Sequence, residues 1–289
     1  MSSINIPSIL HRKSISLGRP AQTAFELFMI AFVFIYLLPF YIMVTQAFKT
    51  PQEILFNPTG LPSHLYFDNI QIVWAKMQYL RAFFNTFVLT ALSVLGIAVV
   101  SAMCAFPIAR GKSRAYTLLY YVLISGLLIP FYMTLSPLIK LMKDLGFMDN
   151  LIGISLAYIG RGVPFAVFLY VGFMRTIPGE VLEAGIVDGC SPLQLFWLVA
   201  FPMLVPVTTT LIILNSLWTW NDFLFPLLTI QYKANRTLTL AQYIFHGENA
   251  TQWNLTFASY LICILPLLVI YFALQRNIIA GVAAGAVKQ

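Results

Sequence analysis

Residues 175–202 read RTIPGEVLEAGIVDGCSPLQLFWLVAFP, and the rest of the chain is best read outward from them. Pro178 suits a first helical turn, where its missing N–H costs nothing. Glu180 and Glu183 follow, and negative charge near a helix N-terminus is stabilising. Val181, Leu182, Ala184 and Val187 supply an apolar stripe. Asp188-Gly189 ends the helix, because glycine takes a left-handed cap cheaply. Ser191-Pro192 starts another: serine is a good N-cap and proline takes the next position. Leu193, Phe196, Trp197 and Ala200 fall on a face of that second helix. The spacing predicts two short helices meeting at a sharp glycine corner.

Long apolar runs lie on both sides of this loop and recur along the chain. Six stretches qualify: Leu27–Val44, Ala82–Ala109, Ala115–Ile139, Leu151–Met174, Cys190–Asn221 and Asn249–Gln275. About 20 apolar residues cross a hydrocarbon core. The fifth stretch is too long for one span, so its first part must lie outside the bilayer. Composition agrees: of 289 residues, 60% are hydrophobic and 9% charged, with a mean hydropathy of +0.83. A soluble domain carries about 25% charged residues. The expected fold is therefore an all-α integral membrane protein of about six transmembrane helices. It divides into an N-terminal segment (1–23), a transmembrane domain (24–275) that includes the loop 175–202, and a C-terminal tail (276–289). The first run exceeds the ~7–15 apolar residues of a signal peptide and no small-residue cleavage site follows, so it reads as an uncleaved anchor. Pro130 and Pro137 are expected to kink the third span. Cys104, Cys190 and Cys263 lack metal-type spacing and read as reduced thiols, so no metal site is expected.

Charge sets the orientation. The net charge of +7 does not point to nucleic acid, because the basic residues are scattered between apolar runs. Arg110, Lys112 and Arg114 crowd the short loop between spans two and three, and short basic loops stay cytoplasmic. The full tally is less decisive, with nine Lys/Arg inside against eight elsewhere. The cluster places the N-terminus (Arg12, Lys13, Arg19), the loop 175–202 and the C-terminus inside. The segments Lys49–Arg81, Lys140–Asn150 and about Pro226–Gln252 then lie outside. A connector needs only a few residues, and this two-helix loop is far longer. The plain alternative is a helix pair lying on lipid. Its polar face is Glu180, Glu183 and Asp188, which anionic lipid would repel. An acidic face suits a basic protein partner better.

These residues resemble a known family. Glu183-Ala184-Gly185, Asp188-Gly189, Phe196 and Phe201-Pro202 look like the EAA loop of binding-protein-dependent ABC importer permeases. Gly185 replaces the second alanine and Phe201 the usual leucine, with the spacing intact. Glycine there should loosen the first helix by roughly 1 kcal/mol relative to alanine. Leu145-Gly146-Phe147-Met148-Asp149 resembles the family's external turn. Trp220-Asn221-Asp222-Phe223, Gln275-Arg276 and the tail Ala284–Lys288 are similar to the carbohydrate-uptake branch. The short first external loop resembles the smaller maltose-type permease. Pro107 departs from the family's usual residue and puts that helix end in question.

The resemblance implies a permease subunit in a bacterial cytoplasmic membrane, importing a sugar or oligosaccharide by ATP-driven alternating access. It implies a second permease subunit as heterodimer partner, two ATP-binding subunits that hold the ATP and magnesium, and an extracytoplasmic solute-binding protein. This chain would bind no cofactor. The loop would dock in an ATPase cleft, with Glu183 pairing a basic residue, Gly189 making the corner, and Phe196 and its neighbours packing in that cleft. Asn235 and Arg236 resemble the segment that contacts the binding protein, and the tail would touch the ATPase.

Arg161 lies among Gly160, Gly162 and Pro164 within an apolar stretch, where a charge costs at least ~2.5–3.5 kcal/mol on insertion scales. Either it lines a cavity or pairs with a partner, or the span starts near Pro164 and Arg161 sits at the interface. Trp218, Trp220 and Asn221 are further candidates for solute contact. An interfacial aromatic belt that also includes Tyr232 is the commoner arrangement. Gly111-Lys112-Ser113 is not a P-loop, since Phe106 stands where the first glycine is needed. A secondary transporter or channel is the alternative reading, but the spans offer no ionisable relay beyond Arg161, with Glu26 and Asp222 near helix ends.

Overall fold

A computed structural model describes residues 19–246 and 252–286. Arg12, Lys13, Gly247, Val287 and Lys288 lie outside the described residues. The chain begins with α1 (Arg19–Ala47), then two short helices, α2 (Pro51–Phe56) and α3 (Asp68–Met77). The long α4 (Tyr79–Arg110) follows. Then come α5 (Arg114–Ser125), a 3-10 turn (Gly126–Leu128) and α6 (Phe131–Asp144), and next α7 (Leu151–Met174). The loop comprises α8 (Gly179–Val187), α9 (Pro192–Gln194), a π-helical turn (Leu195–Ala200) and α10 (Phe201–Met203). It leads into α11 (Val205–Asn221). The short α12 (Leu224–Thr229) and α13 (Leu238–Gln242) precede α14 (Trp253–Ala286).

Among the described residues, three helices are each long and apolar enough to cross a membrane: α1 from Gln22, α4 and α7. Two bent pairs are apolar enough only when taken together, α5 and its 3-10 turn with α6 at 105° and the Pro192–Met203 stretch with α11 at 75°. The first part of α14, Trp253–Val269, is a shorter apolar helix. The fifth stretch thus divides as its length requires, with the bend at Leu204. The third departs from expectation. Pro130 is the N-cap of α6 and marks a full break, whereas Pro137 lies inside a continuous helix. Ile129 is extended (ψ 115°), so the chain turns before the proline, as the restriction on a residue preceding proline favours. Pro107 does not end α4, which runs on to Arg110.

Hydrogen bonds fix which ends meet. Arg110 at the end of α4 reaches Met174 at the end of α7, so both lie beside the loop. Asn254 at the start of α14 donates to Asn69 of α3, and Asn69 donates to the backbone after α1. The bundle therefore has a loop end and a far end. The main core joins α4 and α7, which pack along each other, with α11 and the loop: Ala102, Ala105, Val167, Tyr170, Leu182, Phe196 and Leu211 are all buried in it. Tyr170 donates to Thr208 at 2.9 Å, a buried polar tie between α7 and α11. Most side chains of α1 described here are exposed down to Val44, and the helix packs along α14. An apolar helix bare on most sides needs lipid or another chain around it.

Candidate functional site

The two-helix loop is built as its residues require, with two corrections. Gly189 takes φ +83°, the left-handed region that admits glycine cheaply. Ser191 caps the second helix, and Gln194 reaches back to the Ser191 N–H, completing a capping box. Ser-x-x-Gln was legible as such a box. The first correction concerns the buried faces. Among Val181, Leu182, Ala184 and Val187 only Leu182 is buried, and Gly185 joins it. On the second helix Leu195, Phe196 and Ala200 face inward while Leu193 is exposed, because the π turn shifts the register. The second correction concerns Phe196. It is 3% exposed and packs on Phe106 of α4 with ring centroids 5.6 Å apart, so its packing is internal.

What the loop leaves exposed is its tip: Ile186, Val187 at 86%, Asp188 and Gly189, with Leu193 and Leu198 beside them. Glu180, Glu183 and Ala184 are exposed on the same short helix, and Pro202 is exposed where the loop rises into α11. The root is clamped. Arg110 Nη2 donates to Met174 O at 2.6 Å and Ile177 O at 2.5 Å. Arg175 stacks over Tyr120 of α5 at 5.8 Å. The basic cluster had suggested topology, not this clamp.

Arg161 lies mid-way along α7, which is helical through Pro164. Its Nη1 is 3.4 Å from Asp222 Oδ2, the carboxylate oxygen that also accepts the Tyr158 hydroxyl at 3.0 Å. The guanidinium sits 4.1 Å from the Phe131 ring centroid. Arg161, Phe165 and Trp218 together divide two spaces. One is a cavity of about 790 Å³ between α6 and α7, walled mainly by apolar residues. The other is a niche of about 40 Å³ that Tyr158, Asn215 and Thr219 also line. Trp218 is 51% exposed and tilts on Phe165. Trp220 turns the other way: it is 6% exposed and packs on Phe83, so it does not line the cavity. Asn221 is exposed and donates to Leu217 O within its own helix. Successive residues on a helix point about 100° apart, which separates Trp218, Trp220 and Asn221.

At the far end, Asp149 (φ +57°) clasps the segment after α12. Its carboxylate oxygens each accept the Tyr232 N–H at 3.0 Å, and its carbonyl accepts Asn235 Nδ2 at 2.6 Å. Asn85 of α4 donates to the carbonyls of Ala234 and Arg236. Asn235 and Arg236 are thus held within the chain, and Tyr232 and Lys233 protrude. Under α1, the fully buried Lys49 donates to Asn57 O and Gly60 O. The Ser63 N–H and hydroxyl hold the Glu53 carboxyl below its usual range.

Residues 8–283 match the model of the binding-protein-dependent transport system inner membrane component family. The chain belongs to that family. The permease family accounts for the helical bundle and for the loop between α7 and α11. Among its similar relatives is the probable starch degradation products transport system permease protein AmyC of Thermoanaerobacterium thermosulfurigenes. It is 38% identical over 251 residues, covering 87% of this chain and 91% of AmyC. The melibiose/raffinose/stachyose import permease protein MelC of Bacillus subtilis is 33% identical, over 87% of this chain and 91% of MelC. In structure, the chain is similar to a bacterial ABC transporter that imports the acidic polysaccharide alginate. The TM-score is 0.77 at 18% identity, over 89% of this chain and 96% of that one.

Proposed function

We propose that this permease spans the cytoplasmic membrane of a bacterium and admits an uncharged sugar or oligosaccharide by ATP-driven alternating access. The loop end faces the cytoplasm and the far end faces out. Two ATP-binding subunits hold ATP and magnesium, a second permease completes a heterodimer, and a solute-binding protein delivers the sugar. The observation that carries this reading is the loop, whose root is locked into three helices while its apolar, acidic tip stands free. A tip of that kind suits a basic cleft on an ATPase. Rigid-body rocking of the bundle then follows the tip. Glu183, Ala184, Asp188 and Gly189 supply the docking face, Gly185 and Phe196 its internal packing, and Pro202 the rise into α11. The C-terminal tail adds a further ATPase contact.

On the solute side, Arg161 and Trp218 line the path. The Arg161 charge is matched by Asp222, which favours a neutral solute over an acidic one. Trp218 offers a face on which a sugar ring stacks. The named substrates of AmyC and MelC are neutral saccharides, which supports the same choice. Asn235 and Arg236 shape the surface that meets the binding protein, with Tyr232 and Lys233 at its crest.

The test is to tag the chain, extract it in mild detergent and identify what co-purifies. A second multi-span permease and a Walker-motif ATPase are expected. A chain that purifies alone across several detergents sinks the reading in favour of a secondary carrier or channel. Glu183→Ala is expected to weaken ATPase retention and lower uptake several-fold while insertion stays normal. Unchanged uptake and retention would remove Glu183 from the coupling face.

A further inference from the structure

We propose that Arg110 is the positioning residue that makes α4 move with the coupling loop, so that tip movement reaches the cavity wall. The inference rests on the reading of the loop as the ATPase contact. The loop is joined by the chain to α7 and α11 but not to α4. Apolar packing alone lets one helix slide on another, whereas directional hydrogen bonds fix register. Arg110 supplies two of them from one nitrogen, to the last residue of α7 and to the residue before Pro178. Bonds from a charged donor are roughly twice as strong as neutral ones. The guanidinium also sits at the C-terminus of α7, where the helix dipole favours a cation.

One turn earlier on the same face of α4, Phe106 packs against Phe196 in the second half of the loop. The last turn of α4 therefore grips both the entry and the return of the loop. The same helix carries Ile97, which lines the niche beside Arg161 and Trp218. Thirteen residues separate Ile97 from Arg110, a rise of about 20 Å along a continuous helix. A displacement at residues 174–177 is thus delivered to the solute path by α4 as well as by the two spans that the loop connects. Lys112 and Arg114 are exposed and make no such contact, so they retain the topological signal when Arg110 is changed.

The experiment uses the assembled complex of both permeases, the ATPase subunits and the binding protein in nanodiscs. Native cysteines are replaced, and spin labels are attached at Val187 on the tip and Met103 on α4. In the unmutated chain the 187–103 distance should stay constant between the nucleotide-free and the ATP–vanadate states. In Arg110→Ala it should change with nucleotide, and stimulation of ATP hydrolysis by the binding protein should fall at least threefold. Arg110→Lys, which keeps a cationic donor, should recover most of both.

A constant distance and full stimulation in Arg110→Ala, with ATPase subunits retained, would overturn the proposal. Loss of the ATPase subunits from both variants would also overturn it, by making Arg110 a requirement for folding the loop. A label at Val187 that the ATPase subunits fail to immobilise in the unmutated complex would refute the coupling reading itself, which the unmutated control separates from a failure of Arg110.

Discussion

At residue 185 a single added carbon would lie 2.7 Å from Leu195 Cδ1 and 3.4 Å from Val199 Cγ2. The first contact is too close, but its atom is the free end of a leucine and moves at little cost. Alanine there also gains about 1 kcal/mol of helix propensity over glycine. Gly185→Ala is therefore expected to leave stability and transport within about twofold of the parent, whereas Gly185→Leu should separate the two loop helices and abolish ATPase retention. Retention by the leucine variant would show that the close approach is dispensable. Arg161 and Asp222 are coupled in a different way. Removing either leaves the other charge unmatched, a cost of at least about 2.5–3.5 kcal/mol for a charge at mid-membrane that is reduced here by Arg161's partial exposure. Arg161→Gln and Asp222→Asn should each lower the melting temperature in detergent, and the double variant should recover much of the loss. Strictly additive losses would mean that the pair does not interact. Gly189 was readable because the corner needs a left-handed backbone, whereas Glu183 and Asp188 were readable only through the family resemblance. The Arg161–Asp222 pair was not, since 61 positions separate the partners and only the folded bundle brings α7 against the end of α11.

At the level of elements, helix starts and stops were the most legible features, because caps are local. Ser191 and Gly189 bound the loop helices as their chemistry requires. Buried faces were less legible. The stripe through Val187 fails because hydrophobicity in this loop serves two surfaces, one against α4 and α11 and one pointing away from the bundle. The π turn is equally invisible in sequence, and it moves Leu193 out and Leu195 in. The break at Pro130 was visible as a kink but not as a 105° turn. The capping box gives an element-level prediction. Ser191→Ala should cost about 1 kcal/mol of local stability. Backbone amides of residues 194–196 should then exchange with deuterium about fivefold faster, with amides of α4 unaffected. Equal exchange in both proteins would show that tertiary packing alone holds the second helix.

At the scale of the whole molecule, the unresolved choice in the sequence was direction, and basic residues counted along the chain barely decide it. The folded arrangement sharpens the question, because it assigns each charge to an end. The connection between α4 and α5 is only residues 111–113, and Lys112 lies within it between Arg110 and Arg114. Short loops of this kind carry the orientation signal most strongly. Basic residues also lie at the far end, but Lys49 is buried under α1 and the others are spread over several longer segments. The loop end is therefore expected in the cytoplasm, where ATP is. In a chain freed of Cys104, Cys190 and Cys263, single cysteines at Val187 and at Tyr232, both exposed, report the two ends. A membrane-impermeant maleimide added to intact cells should label position 232 and spare 187, and membranes dissolved in denaturing detergent should label both. Labelling of 187 from outside would invert the molecule, remove the loop from any cytoplasmic ATPase and leave its acidic tip without the partner that its charge and exposed apolar residues fit.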